Sequence, residues 1–256
     1  MLLLSSSSLK GYGIHRIFKI VKETNFDGID LCIEHEDYDS WDKEYLLSLI
    51  KEFKTPILSI TAPSEKMSKE KFNTIKEIAI FCGAKTITIS PPRISDKNTT
   101  WFTDYINKIE KIPGIDICIQ NVAPKFLFFI IPEYKNTTLE QIKKITGTTS
   151  LDISGIELSS GMDIIKAARI LGNTMRNIFI CDKNGNKDGL LPGEAGGGVS
   201  FLPLESFFMQ LKTSGYKSFL SLKVEPQEIS IGDDEEIKEK LGKFKEYYEK
   251  YFVNFK

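Results

Sequence analysis

Short apolar runs alternate along this chain with longer stretches whose apolar residues recur every three or four positions. Residues 1–4, 26–33, 56–60, 85–90, 114–119, 149–153, 178–181 and 217–224 form runs of strand length. Such runs, bounded by turn residues, read as buried strands. Between them lie helical periods: Ile14, Ile17, Phe18 and Val21; Tyr45, Leu46, Leu49 and Ile50; Phe72, Ile75, Ile78, Ala79 and Cys82. Further helices are predicted over 101–112, 139–145, 163–171, 204–213 and 233–252. Gly83 stands where a helix ends in the left-handed conformation. Asp233, Asp234, Glu235 and Glu236 crowd the start of the last helix, where the macrodipole favours negative charge. Eight strand–helix alternations in 256 residues predict a single (β/α)8 barrel, an α/β fold with a closed eight-stranded parallel sheet. In that fold the site is built from loops at the carboxyl ends of the strands. A doubly wound open sheet is the competing architecture. No GxGxxG follows the first strand, so its dinucleotide-binding version lacks support.

Two stretches break the rhythm. The first, 177–201, leaves strand seven through Asp182, Lys183, Asn184 and Gly185, which read as a tight polar turn. Pro192, Gly193, Glu194 and the glycines 196–198 follow before the next helix. A loop of this length in a compact domain is usually functional or disordered. The second, 126–134, opens on Phe126 and closes on Tyr134 and is aromatic and aliphatic without a clear period. It suits a lid over the barrel mouth or the contact of a homo-oligomer.

Charge and cysteine usage narrow the class. A net charge of −1, with lysines and acids interspersed, gives no electrostatic footprint for nucleic acid. Cys32, Cys82, Cys118 and Cys181 lie far apart in apolar stretches and form no CxxC pair. They read as buried free thiols in a reducing compartment, and a zinc ribbon is excluded. The opening MLLLSSSS is too short for a signal peptide. The most apolar window, 126–132, is far below the ~20 residues of a membrane helix. The expectation is a soluble cytoplasmic protein with a small-molecule partner.

GIDICIQNVAP (114–124), SLDISG (150–155), NIFICDKNG (177–185), PGEAGGGVSF (192–201) and GYKSFLSLKVEP (215–226) resemble the ends of strands five to eight in the xylose isomerase-like barrels. That family joins sugar isomerases and epimerases with endonuclease IV-type DNA repair enzymes. The resemblance covers nearly the whole chain. Its most specific part is the Pro-Gly-Glu segment followed by an apolar helix, then Gly-Tyr and a final strand. It implies one barrel domain over residues 1–256, acting on a small sugar, polyol or sugar phosphate. It also implies a divalent metal (Mn, Mg, Zn or Co) held by Glu, Asp, His and Glu at the ends of strands five to eight. The metal polarises a carbonyl while carboxylates move a proton.

At those four positions the sequence carries Gln120, Asp152, Phe179 and Lys223. Only Asp152 is kept. A neutral amide is a weak ligand, a phenyl ring is none, and an ammonium repels a cation. The expectation is therefore a degenerate metal site with no resident cofactor. The chain has two histidines, His15 and His35, so the histidine-rich centre of the repair enzymes has almost no support.

Lys223 is expected to take the ion's place and pair with Asp152. Unit charges ~4 Å apart at an effective dielectric near 20 attract by roughly 4 kcal/mol before desolvation is subtracted. Such a pair either repairs a dead site or makes Lys223 an electrophile or Schiff-base amine, with Asp152 as its proton partner and Gln120 beside them. Candidate substrate-binding groups are Glu34 after strand two, Asn121, Asp182, Lys183, Glu194 and Glu225, the last as a substitute for the lost strand-eight carboxylate. Plainer roles compete: a solvated strand end for Glu34, a turn cap for Asp182 and loop hydrogen bonding for Glu194. His35 reads as a surface residue, and Cys118 and Cys181 as small hydrophobes of the interior. Three functions stay open: a sugar isomerase or epimerase, a non-catalytic barrel binding a small ligand or a protein, and a metal-free carbonyl enzyme using Lys223.

Overall fold

A computed structural model describes residues 1–94, 112–128, 130–135, 137–156, 162–185, 187–195, 202–229 and 233–255. Eight strands close into a barrel: β1 (Leu2–Ser5), β2 (Gly28–Cys32), β3 (Ile57–Thr61), β4 (Thr86–Ile89), β5 (Asp116–Gln120), β6 (Thr149–Asp152), β7 (Met175–Ile180) and β8 (Phe219–Leu222). Each pairs in parallel with the next, and β8 returns to β1 with Leu220 opposite Leu2. Around it lie α1 (Ile14–Glu23), α2 (Lys43–Phe53), α3 (Lys69–Cys82), α4 (Leu139–Thr146), α5 (Ile164–Leu171), α6 (Leu204–Thr213), α7 (Pro226–Ile229) and α8 (Asp234–Tyr248). The architecture is the (β/α)8 barrel that the alternation predicts. The helix predicted over 101–112 lies outside the described residues up to position 111.

The helical stripes supply the shell of the core. Ile17, Phe18 and Val21 on α1, Leu46 and Leu49 on α2, and Phe72, Ile75 and Ala79 on α3 are all buried against the barrel. Their ends are fixed locally. The Asp42 carboxylate accepts from the N–H groups of Glu44 and Tyr45, and Ser68 accepts from Lys71. Thr138 and Gln141 form a reciprocal capping box on α4. Gly83 adopts φ +76° at the end of α3, a conformation that a Cβ would strain.

The barrel interior is unusual in being small and polar. Inward residues alternate along each strand, and here they include Ser5, Asp30, Ser59, Thr61, Thr88, Ser150, Asn177 and Ser221, all buried. They satisfy one another. Ser221 donates to the Asn177 carbonyl (2.9 Å), Asn177 donates to Ser59 (3.1 Å), and Thr88 bonds Ser150 (2.7 Å). The run of four serines closing β1 is explained in the same way. Ser5 donates to Asp30, Ser6 accepts the Cys32 N–H, Ser7 bonds Ser5, and Ser8 bridges the backbone of Leu222 and Val224.

Three expectations change. Strand β7 begins at Met175 rather than 178, because Asn177 is polar for an interior reason and Arg176 turns outward to Asp116 (2.8 Å). The expected tight turn at 182–185 is the first arm of a hairpin, Asp182–Asn184 paired with Lys187–Leu190. The aperiodic stretch after β5 is a second, smaller hairpin, Phe126–Leu127 with Ile131–Pro132. Phe128 and Ile130 at its tip are 86% and 81% exposed, so no burial imposes a period. Among the described residues no helix is long and apolar enough to cross a membrane.

Candidate active site at the barrel mouth

Strands β5 to β8 bring their last inward residues together. Lys223 leaves β8 with its ammonium 2.8 Å from Asp152 Oδ2. The same ammonium lies 4.9 Å from the centre of the Phe179 ring, a cation–π contact. Phe179 is opposite Asp152 in the β6–β7 register and opposite Ser221 in the β7–β8 register. The second carboxylate oxygen of Asp152 accepts from the Ser154 hydroxyl (2.6 Å) and N–H (3.1 Å). Burial alone would raise the Asp152 pKa, but the Lys223 ammonium and the Ser154 donors hold it below the ordinary aspartate value. Burial alone would lower the Lys223 pKa, but Asp152 outweighs that and raises it. Lys223 is therefore a firm ammonium, a hydrogen-bond donor and point charge rather than a free amine.

Gln120, on β5, donates through Nε2 to Ser90 (2.9 Å), while its Oε1 is buried without a partner. An unmet buried acceptor costs roughly 1–3 kcal/mol. Beneath the mouth, Asp30 is wholly buried and accepts from Ser5 (2.8 Å) and Thr61 (3.1 Å). Burial raises its pKa despite the hydroxyl donors of Ser59, Ser5 and Thr61. Burial also pushes the Cys32 thiol up to about 12, so it is no nucleophile at neutral pH.

A carboxyl whose folded pKa is raised keeps its contribution below the unfolded value and loses it as pH rises through the folded one. Asp30→Asn should therefore gain stability relative to the unsubstituted protein as pH is raised from about 4 to about 8. Thermal unfolding at the two pH values measures this, and a widening deficit at the higher pH would contradict the burial account of Asp30.

Lys223 and Gln120 face a cavity of about 480 Å³ that opens towards the loops after β1, β2 and β3. Of the expected binding groups, Glu34 also lines it, 2.8 Å from Lys10. The others do not line it. The Asn121 amide is spent on the Asp152 backbone, donating to its carbonyl (2.8 Å) and accepting its N–H (2.7 Å). It splices the loop after β5 to the end of β6. Asp182 accepts from the N–H groups of Lys183 and Gly193 and organises its own hairpin. Lys183 pairs with Asp188 (2.8 Å). Glu194 and Glu225 are exposed, and Glu225 packs on Gly189.

The residues that the sequence reasoning missed come from the first three loops. Lys10, Glu65 and Lys66 line the cavity, and Arg93 reaches Glu65 (2.6 Å) and Glu133 (3.0 Å). His35 lines it too and is a strap between loops. Its Nε2 lies 2.6 Å from the Glu65 carbonyl and its Nδ1 lies 3.3 Å from the Lys71 ammonium. The one sequence signal was the placement of Lys10, Glu34 and His35 just beyond the first two strands.

Of the four positions to which the resemblance assigns a metal, Asp152, Phe179 and Lys223 meet directly and Gln120 shares a cavity with Lys223, and the chemistry of the four does not suit a metal. The one carboxylate among them is already bonded to an ammonium, beside a phenyl ring. Among the described residues no group of three or more His, Cys, Asp and Glu side chains is placed to hold an ion.

Comparison with known sequence families finds no match, and neither does a sequence comparison with curated proteins. Comparison of structures does. A xylose isomerase domain protein from Alicyclobacillus acidocaldarius aligns over 99% of both chains at 15% identity and a TM-score of 0.70. The IolI protein, whose crystal structure binds a zinc atom, covers 98% of this chain and 99% of its own at 17% identity and a TM-score of 0.71. A xylose isomerase domain protein from Salmonella typhimurium LT2 aligns over 96% of both chains at 12% identity and a TM-score of 0.68. The fold is shared with these barrels.

Proposed function

We propose that this xylose isomerase-like barrel handles a small uncharged sugar or polyol, with the Lys223 ammonium polarising the ligand's carbonyl oxygen as a divalent metal would. The observation that carries the proposal is the Lys223–Asp152 pair at the floor of a polar cavity, beside the unmet Gln120 acceptor. One N–H of Lys223 goes to Asp152, leaving donors for a ligand carbonyl or hydroxyl oxygen. Gln120 Oε1 is closed off from the cavity in the unliganded protein, and a rotation of the amide presents it to a neighbouring ligand hydroxyl. A carbonyl next to a hydroxyl matches that donor–acceptor pair. Each such bond to a charged group is worth about 1.5–3 kcal/mol.

Charge balance favours an uncharged ligand. Lys10, Lys66 and Lys223 line the cavity together with Glu34, Glu36 and Glu65, three charges of each sign. Lys10 and Glu34 answer one another, and Glu65 answers Arg93. A phosphate would find no excess of positive charge there.

Isomerase or epimerase chemistry needs a base at the carbon beside the carbonyl. Of the acids and the imidazole that line the cavity, Glu34, Glu65 and His35 already have partners, and this favours a second reading, binding without turnover. The Schiff-base reading is the weakest, because an imine forms from the neutral amine and Asp152 keeps Lys223 charged.

Calorimetric titration with neutral aldoses, ketoses and cyclic polyols should find a binder, whose affinity falls about tenfold in Gln120→Leu. The phosphorylated counterparts should bind more weakly. Proton NMR in D2O then separates the two readings. Deuterium entering beside the carbonyl marks turnover, and its absence in a bound ligand marks a binding protein. If no neutral carbohydrate or polyol binds, the proposal fails.

A further inference from the structure

The hairpin after β5 carries four large apolar side chains that the core does not use. Phe126 is 56% exposed, Phe128 86%, Ile130 81% and Ile131 46%. None of the four lines the cavity at the barrel mouth, so the hairpin is not a wall of that site. A contiguous apolar patch left in water marks an interaction surface. We propose that this hairpin docks the protein on an anionic lipid surface, with its tip among the acyl chains and two lysines at headgroup level.

The shape of the hairpin argues for lipid. Phe126 pairs with Pro132, and Leu127 pairs with Ile131. Cross-strand partners share a face and successive residues alternate. One face therefore carries Phe126 and Pro132, and the other carries Leu127 and Ile131. Phe126 and Pro132 are exposed on the first, and Ile131 is exposed on the second. Both faces and the tip are thus apolar and open. A protein surface, that of a second copy included, covers one face of a hairpin and leaves the other in water. Acyl chains surround it. Each strand is two residues long, too short an edge to extend a partner's sheet.

Charge points the same way. Lys125 and Lys135 are exposed at the two feet of the hairpin and pair with no acid among the described residues. Glu133 beside them is turned to Arg93 (3.0 Å). The feet therefore present two free ammonium groups behind an apolar tip. Basic residues are drawn to an anionic bilayer, and lysine stems reach headgroup level while apolar side chains sit deeper.

The wedge is also held in place before it docks. The Glu133 N–H donates to the Lys125 carbonyl (2.7 Å), the Ile94 N–H to the Glu133 carbonyl (2.8 Å) and the Lys135 N–H to the Pro92 carbonyl (3.0 Å). Arg93 Nε donates to the Tyr134 hydroxyl (3.2 Å). Phe128 stands at φ +52°, a left-handed conformation unfavourable for a bulky residue, and its ring gains no burial in exchange. A preorganised tip loses little conformational freedom on docking.

Cosedimentation of the whole protein with vesicles tests this. Vesicles of roughly three parts phosphatidylcholine to one part phosphatidylserine should bind it about tenfold more tightly than pure phosphatidylcholine. Phe128→Asn and Ile130→Ser should each weaken that binding about tenfold. Asn suits the left-handed conformation, so Phe128→Asn should unfold at no lower temperature than the unsubstituted protein. Lys125→Gln together with Lys135→Gln should remove most of the preference for the anionic vesicles. Ile80→Ser, at an exposed apolar position on α3, should change nothing. No binding to the mixed vesicles, no preference for them, or binding indifferent to the tip substitutions would overturn the proposal. A lowered unfolding temperature in Phe128→Asn would do so too, by making Phe128 a packing residue. So would a dimer, found by sedimentation velocity without vesicles, that Phe128→Asn dissociates, since the patch would then serve a second copy.

Discussion

Lys223→Met should destabilise the fold by about 2–4 kcal/mol and remove carbohydrate binding at the mouth. Breaking a buried ion pair by deleting one partner costs about 3–5 kcal/mol, because the other charge is left uncompensated. The Lys223 side chain is 32% exposed and that of Asp152 12%, so solvent screens part of the penalty. The pH dependence follows from the two shifts. The folded pKa of Asp152 is depressed, so its contribution is present above the ordinary value of 3.8 and is lost as pH falls through the folded value. The folded pKa of Lys223 is raised, so its contribution is complete below 10.5 and is lost as pH rises through the folded value. The stability difference between the two proteins should be largest between those limits and shrink on both sides. Urea denaturation across pH measures it. The double substitution Lys223→Met with Asp152→Asn removes the stranded charge, while the Asn carbonyl still accepts from Ser154. It should recover most of the stability and none of the ligand binding. A double variant that bound the ligand as tightly as the unsubstituted protein would reduce the pair to a purely structural role.

That pair was legible because charge survives in a bare sequence. An amine standing where a cation is expected, with one acid left to face it, dictates an attraction wherever the strands bring the two within reach. The fold was legible for a similar reason: stripes such as Ile17, Phe18 and Val21 read as one buried face. The interior of the barrel was not. Asn177 and Ser59 meet across 118 positions of sequence, and each taken alone looks like a loop residue. The role of the serine run that closes β1 was hidden for the same reason, since every partner of Ser6 and Ser8 lies on another strand or beyond it. The cavity wall went unseen because family-like segments cluster at strands five to eight. Lys10, His35 and Glu65 come from the first three loops. Asn121 and Asp182 drew attention as polar residues at strand ends. Side-chain to backbone bonds that close locally or onto the next strand use up their polar atoms.

Restoring the resembled family's ligands should make this barrel depend on metal. The triple variant Gln120→Glu, Phe179→His, Lys223→Glu places three carboxylates and an imidazole around the point now held by the Lys223 ammonium. The geometry supports the choice: Asp152 and Phe179 are register partners, and the ammonium touches both. Without an ion, Asp152 and the two introduced carboxylates would repel one another in a partly desolvated space, with Asp30 buried below. The variant should therefore unfold more easily than the unsubstituted protein in a chelator. Zinc or manganese should reverse the loss, since a ligand of the folded state at a hundred times its Kd stabilises by about 2.7 kcal/mol. Carboxylate and imidazole ligands suit both ions. Calorimetry should show one ion per chain at roughly micromolar affinity, about 8 kcal/mol. Thermal unfolding with zinc and with chelator is the decisive comparison. A triple variant that is folded yet indifferent to both ions would show that these four positions do not converge as a metal site does. The case for Lys223 as the stand-in for a cation would then have no geometric basis.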